Sequence, residues 1–407
     1  MKIGLTTSVI QRGQTGVAQY VFSLLRALAQ HREHQFVLFV LKHDLPLFDF
    51  VRNRMELITV SERFRSAVRN VLWHQTVLPQ LARRHRLHVL HVPSYRRMMW
   101  RAPCPRVATV HDLAAFHVAR KYDWKRMFYA RYVVGHLARR QDGLIAVSRN
   151  TAEDMRRFWR IPDSRINVIH HGIDLERFTS DDPSSAKTFC QQRFGLTQPF
   201  FLYVARLEHP AKNHLRLLKA FELFKSKTRS PWQLVFAGSD WHGADAIHAA
   251  IAASPVRADI RSLGFVSAAD LPTLYRAAET TVFPSLHEGF GLPVLEAMAS
   301  GSPVLCSARG ALAEVSGNAA LIINPENIAE MSRALEQLSK DDNLRTKLRR
   351  AGIEWSRQFD WQQTATQTLA VYSRAINPHL APAPVHPPES VTMTTFTQRN
   401  LPIRSQP

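Results

Sequence analysis

Three cysteines in 407 residues are too few, and too scattered, to make a disulfide framework. Cys104, Cys190 and Cys306 offer no pair at metal-ligand spacing, and an odd, sparse set fits a reducing compartment. No apolar run reaches the ~18 residues that a membrane-spanning helix requires. The opening Met1-Lys2-Ile3-Gly4-Leu5-Thr6 lacks the apolar core of a signal peptide and reads as a first strand. The expected location is therefore cytoplasmic, with any membrane contact peripheral, on the inner face of the plasma membrane. Acidic residues are in deficit as well: 33 Asp+Glu against 53 Lys+Arg leave a formal net charge of +20. Such a field draws anions of any kind, whether nucleic acid, anionic lipid or phosphate-bearing substrate.

Missing motifs narrow the chemistry further. Gly-x-Gly-x-x-Gly fails at Gly289-Phe290-Gly291, where the third position is Val294, so a nicotinamide fingerprint is absent. There is no Gly-x4-Gly-Lys-Ser/Thr loop, and no Asp-x-Asp to hold a divalent ion on a diphosphate. His170 and His171 are adjacent rather than four apart, a poor metal pair. Neither a cofactor nor a metal is expected. The aromatics do not interleave with the cations as base-stacking platforms would, which argues against nucleic acid as a partner.

What is present is ordinary globular material, 45% hydrophobic and 21% charged, enough for two cores. Short apolar runs alternate with helical spacing. Lys2–Thr6, Phe36–Leu41, His88–Val92, Arg106–His111, Gly143–Ser148 and Asn167–His170 read as strands of a first series. Phe200–Ala205, Gln233–Gly238, Ile260–Gly264, Thr281–Pro284, Pro303–Ser307 and Leu321–Ile323 form a second. Helical patterns fill the gaps, including Asn213–Lys225, Leu292–Ser300 and Ile328–Ser339, with Asn213 as an N-cap. The order implies right-handed βαβ units and two doubly wound parallel sheets. Polar Thr179–Ser185 suits an interdomain connection, and a last helix is expected over Trp361–Ile376. Residues 377–407, rich in proline and polar groups, read as a disordered tail.

The segment from His287 to Val304 carries the most chemistry. It follows a strand and turns through Gly289 and Gly291 into a helix with Pro293 in its first turn, where a missing N–H costs nothing. Free amides and the positive dipole end then face the carboxyl edge of a parallel sheet, a ready anion site. Glu288 and Glu296 bracket that terminus, and carboxylates accept hydrogen bonds from vicinal hydroxyls of sugars and riboses. A lone pair of glutamates is more often surface charge. Arg206 follows a strand and Lys212 precedes a helix, so both reach the same edge and can hold a diphosphate. Two surface cations in a basic protein are the plainer reading of that pair alone. His111 ends a strand of the first half and faces the cleft, or caps it. Gly16 opens the first helix, either to admit a phosphate or simply to turn the chain.

Together these residues resemble the retaining glycosyltransferases of family 4. Glu288 to Glu296 reproduces the Glu-x7-Glu signature around Glu-Gly-Phe-Gly-Leu-Pro, and Arg206 with Lys212 matches the Arg-x5-Lys pair. Ala146-Val-Ser148, His171-Gly172-Ile173-Asp174 and Leu271-Pro-Thr-Leu-Tyr275 are similar too. The resemblance, over roughly residues 1–376, implies a GT-B architecture: two Rossmann-like domains, 1–178 on the acceptor side and 179–376 for the nucleotide sugar, facing across a cleft. The final helix is expected to cross back to the first domain. The resemblance also implies roles: Glu288 on donor-sugar hydroxyls, Glu296 on the ribose, and amides of Phe290, Gly291 and Leu292 on sugar and phosphates. Arg206 and Lys212 stabilise the leaving diphosphate, and His111 touches the donor sugar.

The implied activity is transfer of a hexose, mannose favoured, from a nucleotide diphosphate sugar to a lipid-linked or polysaccharide acceptor. A nucleotide-sugar epimerase or hydrolase of the same fold is the alternative, and a basic nucleic-acid-binding protein a more distant one. One departure stands out: relatives often carry two glycines before the first helix, and here Gln14-Thr15-Gly16 has one. The arginines Arg63, Arg65, Arg69, Arg83, Arg84, Arg86, Arg96, Arg97 and Arg101, with Trp73, Tyr95 and Trp100 among them, suggest an anionic membrane surface as a further partner.

Overall fold

The computed structural model describes residues 1–13, 15–118 and 127–380. In the first half most apolar runs are buried on both faces, as parallel strands require, and seven strands make one sheet. These are β1 (Lys2–Thr6), β2 (Gln35–Leu41), β3 (Glu56–Val60), β4 (Val89–Val92), β5 (Arg106–Val110), β6 (Gly143–Ala146) and β7 (Ile166–Val168). Their order is β3-β2-β1-β4-β5-β6-β7. The second half builds a six-stranded sheet from β8 (Phe200–Val204), β9 (Gln233–Ala237), β10 (Ile260–Ser262), β11 (Thr280–Phe283), β12 (Val304–Ser307) and β13 (Ala320–Ile323). Its order is β10-β9-β8-β11-β12-β13, again parallel throughout.

Each sheet reverses its winding once, between β1 and β4 and between β8 and β11. At such a switch point the loops leaving adjacent strands diverge to opposite faces, and a crevice opens at their carboxyl ends. The loops after β8 and β11 carry Arg206–Lys212 and His287–Gly291, so sheet order alone brings those segments side by side.

Three readings of the sequence need correction. β3 has no counterpart among the expected strands. It is an edge strand with Glu56 and Thr59 exposed, and its pattern lacks the continuous apolar run of its neighbours. The stretch Thr179–Ser185 is not all connection: Asp182 caps a helix, Pro183–Phe194, by accepting from the Ser185 amide. Asn213 precedes its helix in a left-handed conformation and caps nothing with its side chain. Instead its Nδ2 donates to Pro284 O at 3.0 Å and Pro325 O at 2.7 Å, pinning the end of β11. The expected tail lies, from residue 381 on, outside the described residues.

The helix Trp361–Ile376 closes the first sheet rather than the second. Ala365, Leu369, Val371, Tyr372 and Ala375 are buried in one core with Ile3, Leu24, Val89 and Ile145. A buried polar relay secures it. The Tyr372 hydroxyl lies 2.7 Å from His91 Nδ1, and His91 Nε2 lies 2.8 Å from Thr109 Oγ1, which also meets the Tyr20 hydroxyl. Burial, with a smaller contribution from His111, pushes the His91 imidazole down to about 3, so the ring is a neutral bridge. Tyr372→Phe strands His91 Nδ1 without a partner and is expected to cost about 1–3 kcal/mol, read as a lowered urea midpoint at unchanged slope.

Candidate active site

The loop leaving β11 is the centre of the site. Gly289 lies so close to the first half that any side chain there would collide with the His111 carbonyl oxygen. Its own carbonyl accepts from Ser148 Oγ at 2.8 Å and Thr151 Oγ1 at 3.2 Å. Gly291 then takes φ +105°, a conformation L side chains rarely adopt, and caps the helix Leu292–Ala299 without any side-chain hydrogen bond. In the first turn Pro293 has no N–H to satisfy and the Val294 amide donates to Gly291 O at 2.9 Å, so it is the Leu292 amide that is left for a ligand.

Two acids flank this terminus as the spacing requires. Glu288 Oε1 accepts from Lys212 Nζ at 2.6 Å, both side chains largely but not wholly covered. Lys212 is placed by its own carbonyl, which takes the buried Tyr203 hydroxyl at 2.7 Å. Arg206 lies on the same loop, its guanidinium 4.3 Å from the Trp241 ring centroid and 3.5 Å from the Glu208 carboxylate. A diphosphate arriving here meets a lysine already held by a carboxylate, and an arginine half-open to solvent.

Glu296, one helical turn further in, accepts from the Tyr275 hydroxyl at 3.0 Å. Dense surroundings push its carboxyl above the usual range, against the hydrogen bond from Tyr275 and the charge of Arg177. One edge nonetheless stays open to solvent, where a hydroxyl could reach it.

From the first half, His111 Nε2 lies 3.2 Å from Pro93 O, and its ring stands edge-on to Tyr20 at 4.7 Å. Burial lowers its pKa to about 4 although Asp112 pulls the other way, so the imidazole is neutral near neutrality. Phe290 turns its ring inward onto His171 at 4.4 Å, leaving only its backbone to the site. Gly16 stands in open space at the start of the helix Gly16–Leu28, but Thr15 Oγ1 already accepts from the Ala18 amide. One first-turn donor at that terminus is therefore already satisfied.

The structure thus brings Lys212, Glu288, Gly289 and His111 to one junction, with Arg206 on the loop that carries Lys212 and Glu296 on the helix that follows Glu288. Sequence reasoning missed the residues that hold this junction shut. Glu314 accepts from the Arg149 amide at 2.9 Å and the Asn150 amide at 3.3 Å, at the N-terminus of the helix Arg149–Trp159. His170 Nε2 reaches the same carboxylate at 2.6 Å. Burial opposes its ionisation, yet the ring and the two amides outweigh that and hold the Glu314 pKa low. Of the aromatics read as surface anchors, Trp73 and Tyr95 are buried in the cores and only Trp100 is exposed. No helix among the described residues is long and apolar enough to cross a membrane.

Two parallel α/β sheets meeting over an uncapped helix terminus, two acids and two cations define a glycosyltransferase of the GT-B fold. Solved structures agree on the fold: Anabaena HepE in complex with UDP and glucose superposes with a TM-score of 0.73 at 18% identity, over 92% of this chain and 99% of that one. WaaG, a glycosyltransferase involved in lipopolysaccharide biosynthesis, gives 0.70 at 16% identity over 92% and 100%. The profile described as Glycosyltransferase Family 4 matches residues 14–177, and that described as Glycosyl transferases group 1 matches residues 185–355. The chain belongs to glycosyltransferase family 4. Among curated proteins, the O-antigen chain mannosyltransferase B of Escherichia coli is 28% identical over 391 residues, 91% of this chain and 99% of its own. The MMP alpha-(1->4)-mannosyltransferase of Mycolicibacterium hassiacum is 30% identical over 288 residues, 67% of this chain and 66% of its own.

The Glu296 environment generates a stability test. A carboxyl whose pKa rises on folding is destabilising once ionised: the penalty is absent below the unfolded pKa and complete above the folded one. Glu296→Gln should therefore raise the Tm of the unliganded protein by about 2 °C at about pH 7.5, and the gain should vanish by about pH 4. Scanning calorimetry of both proteins at the two pH values checks this.

Proposed function

We propose that this glycosyltransferase moves mannose, with retained anomeric configuration, from a nucleoside diphosphate sugar to a growing glycan or its lipid-linked precursor. The observation that carries the reading is the Lys212–Glu288 pair, 2.6 Å apart at the open terminus of the helix Leu292–Ala299. A cation and a hydroxyl-reading acid in contact suit a ligand that joins a phosphate to a sugar. The mannose preference rests on the relatives of that activity.

In the proposed reaction the anomeric carbon breaks its bond to the β-phosphate oxygen while the acceptor hydroxyl forms the new one on the same face. The acceptor proton passes to the departing phosphate oxygen, so no protein base is needed. The diphosphate gains negative charge as it leaves. Arg206, Lys212 and the Leu292 amide are aimed at that change, which is where preorganised charge lowers a barrier most. Glu288 positions the sugar hydroxyls and Glu296 the ribose, while neutral His111 offers a hydrogen bond near the reacting face without adding positive charge. Arg206 and Lys212 supply positive charge of the kind a metal ion would bring, so transfer is proposed to run without one. The epimerase or hydrolase alternative differs in having no acceptor to glycosylate.

The test is incubation with labelled GDP-mannose, UDP-glucose and other donors in the presence of lipid-linked and soluble glycan acceptors. Labelled mannosyl product with the α-configuration of the donor is expected, at a rate that EDTA does not lower. Lys212→Ala and Glu288→Ala should each lower kcat by about 100-fold or more with the fold intact by circular dichroism. Free sugar as the sole product, or full activity in both variants, overturns the reading.

A further inference from the structure

Beside the site, and unused by it, three side chains converge from three segments. His117 follows the 3-10 turn Ala114–Phe116, and Asp154 lies on the helix Arg149–Trp159. His287 comes from the second half, one residue before Glu288. One nitrogen or oxygen from each falls within 4.8 Å of the other two. His117 Nε2 is 2.7 Å from Asp154 Oδ1, and His287 Nε2 is 3.8 Å from Asp154 Oδ2. The two imidazoles lie face to face, 4.2 Å apart at 12°, with their Nε2 atoms toward the one carboxylate.

This arrangement is poorly explained as packing alone. Asp154 is 3% exposed, and its Oδ2 is buried with no hydrogen-bond partner. A carboxylate oxygen so placed is costly unless something binds it. Protonating both rings would set two cations face to face over one anion, so protons are an inefficient answer. A divalent ion binds neutral rings and the carboxylate together.

We propose that His117, Asp154 and His287 form a transition-metal site, best suited to zinc, that latches the two halves of the molecule together beside the active site. Two imidazoles and one carboxylate are borderline ligands that favour zinc over magnesium or calcium, which prefer oxygen alone. Zinc bonds of about 2.0–2.2 Å draw the donors closer than they now stand. His117, whose ring is the most exposed of the three, has room to rotate inward. Two ligands belong to the first half and one to the loop bearing Glu288, so the ion resists opening of the junction. In a transferase whose product must escape between the halves, an ion there slows turnover by holding the cleft shut. The site is independent of which sugar is moved, and of whether any is.

The test uses the full chain, stripped with EDTA and desalted. Zinc titration by calorimetry is expected to show one tight site, a raised Tm, and, with cobalt in its place, the visible absorption of a low-coordinate ion. Magnesium and calcium are expected to leave the Tm unmoved. His117→Ala and Asp154→Asn should each weaken zinc binding by about 100-fold and abolish the cobalt spectrum. His117→Ala lies at the exposed edge, so it serves even if Asp154→Asn misfolds. Zinc should slow product release in the wild type and not in His117→Ala. Zinc affinity that is the same in wild type and His117→Ala, or a Tm shift that magnesium reproduces, refutes the site. Failure of sugar transfer with zinc binding intact would count against the proposed function and leave the latch standing.

Discussion

The contact of the Gly289 backbone with the first half is the constraint on which the rest of the site depends. Ser148 and Thr151 hold its carbonyl, and the His111 carbonyl leaves no room for a side chain. Because that glycine lies between Glu288 and the helix terminus, fixing it against the first half fixes the acids, the Leu292 amide and Lys212 relative to His111. Glu314 reinforces the same junction by occupying the N-terminus of the helix Arg149–Trp159. A helix end able to attract a ligand is thereby spent on closure, whereas the terminus of the helix Leu292–Ala299 has no side-chain cap.

Charge is distributed to match an anion that changes during reaction. Lys212 rests on Glu288 and Arg206 on Trp241 and Glu208, so each cation already has a partner. Each is held by partners it can share with a phosphate, at little cost in side-chain entropy when the ligand arrives. His111, kept neutral by burial, adds polarity without adding charge. The net charge of +20 supplies long-range attraction on top of these local contacts. Much of the arginine excess is already engaged: Arg65 pairs with Glu62 and Asp44, and Arg97 with Asn70.

Polar links also tie the helix Trp361–Ile376 to the first half. Thr364 Oγ1 donates to His170 O at 2.8 Å, next to the ring that binds Glu314. The helix Trp361–Ile376 therefore touches both the core of the first sheet and the closing contact at the junction. A change in that helix is positioned to reach the site through His170 rather than through the sheet.

Much of this was legible in the residues themselves. Twelve of the thirteen strands were legible, most of them as continuous apolar runs, since burial on both faces of a parallel sheet leaves that mark on a sequence. Arg206, Lys212 and Glu288 could be found because they follow strand ends beside glycine or proline, where local backbone chemistry announces a helix start, and Glu296 because it lies one turn into that helix. Edge strand β3 escaped because half of it faces water. Other features are written nowhere locally. Lys212 meets Glu288 across 76 residues, Tyr372 meets His91 across 281, and Asn213 gives its amide to two distant carbonyls instead of its own helix. Periodicity and turn chemistry are short-range free energies that a sequence displays directly. Which distant side chains end in contact depends on sheet order and on how the halves close, and only the folded chain decides that.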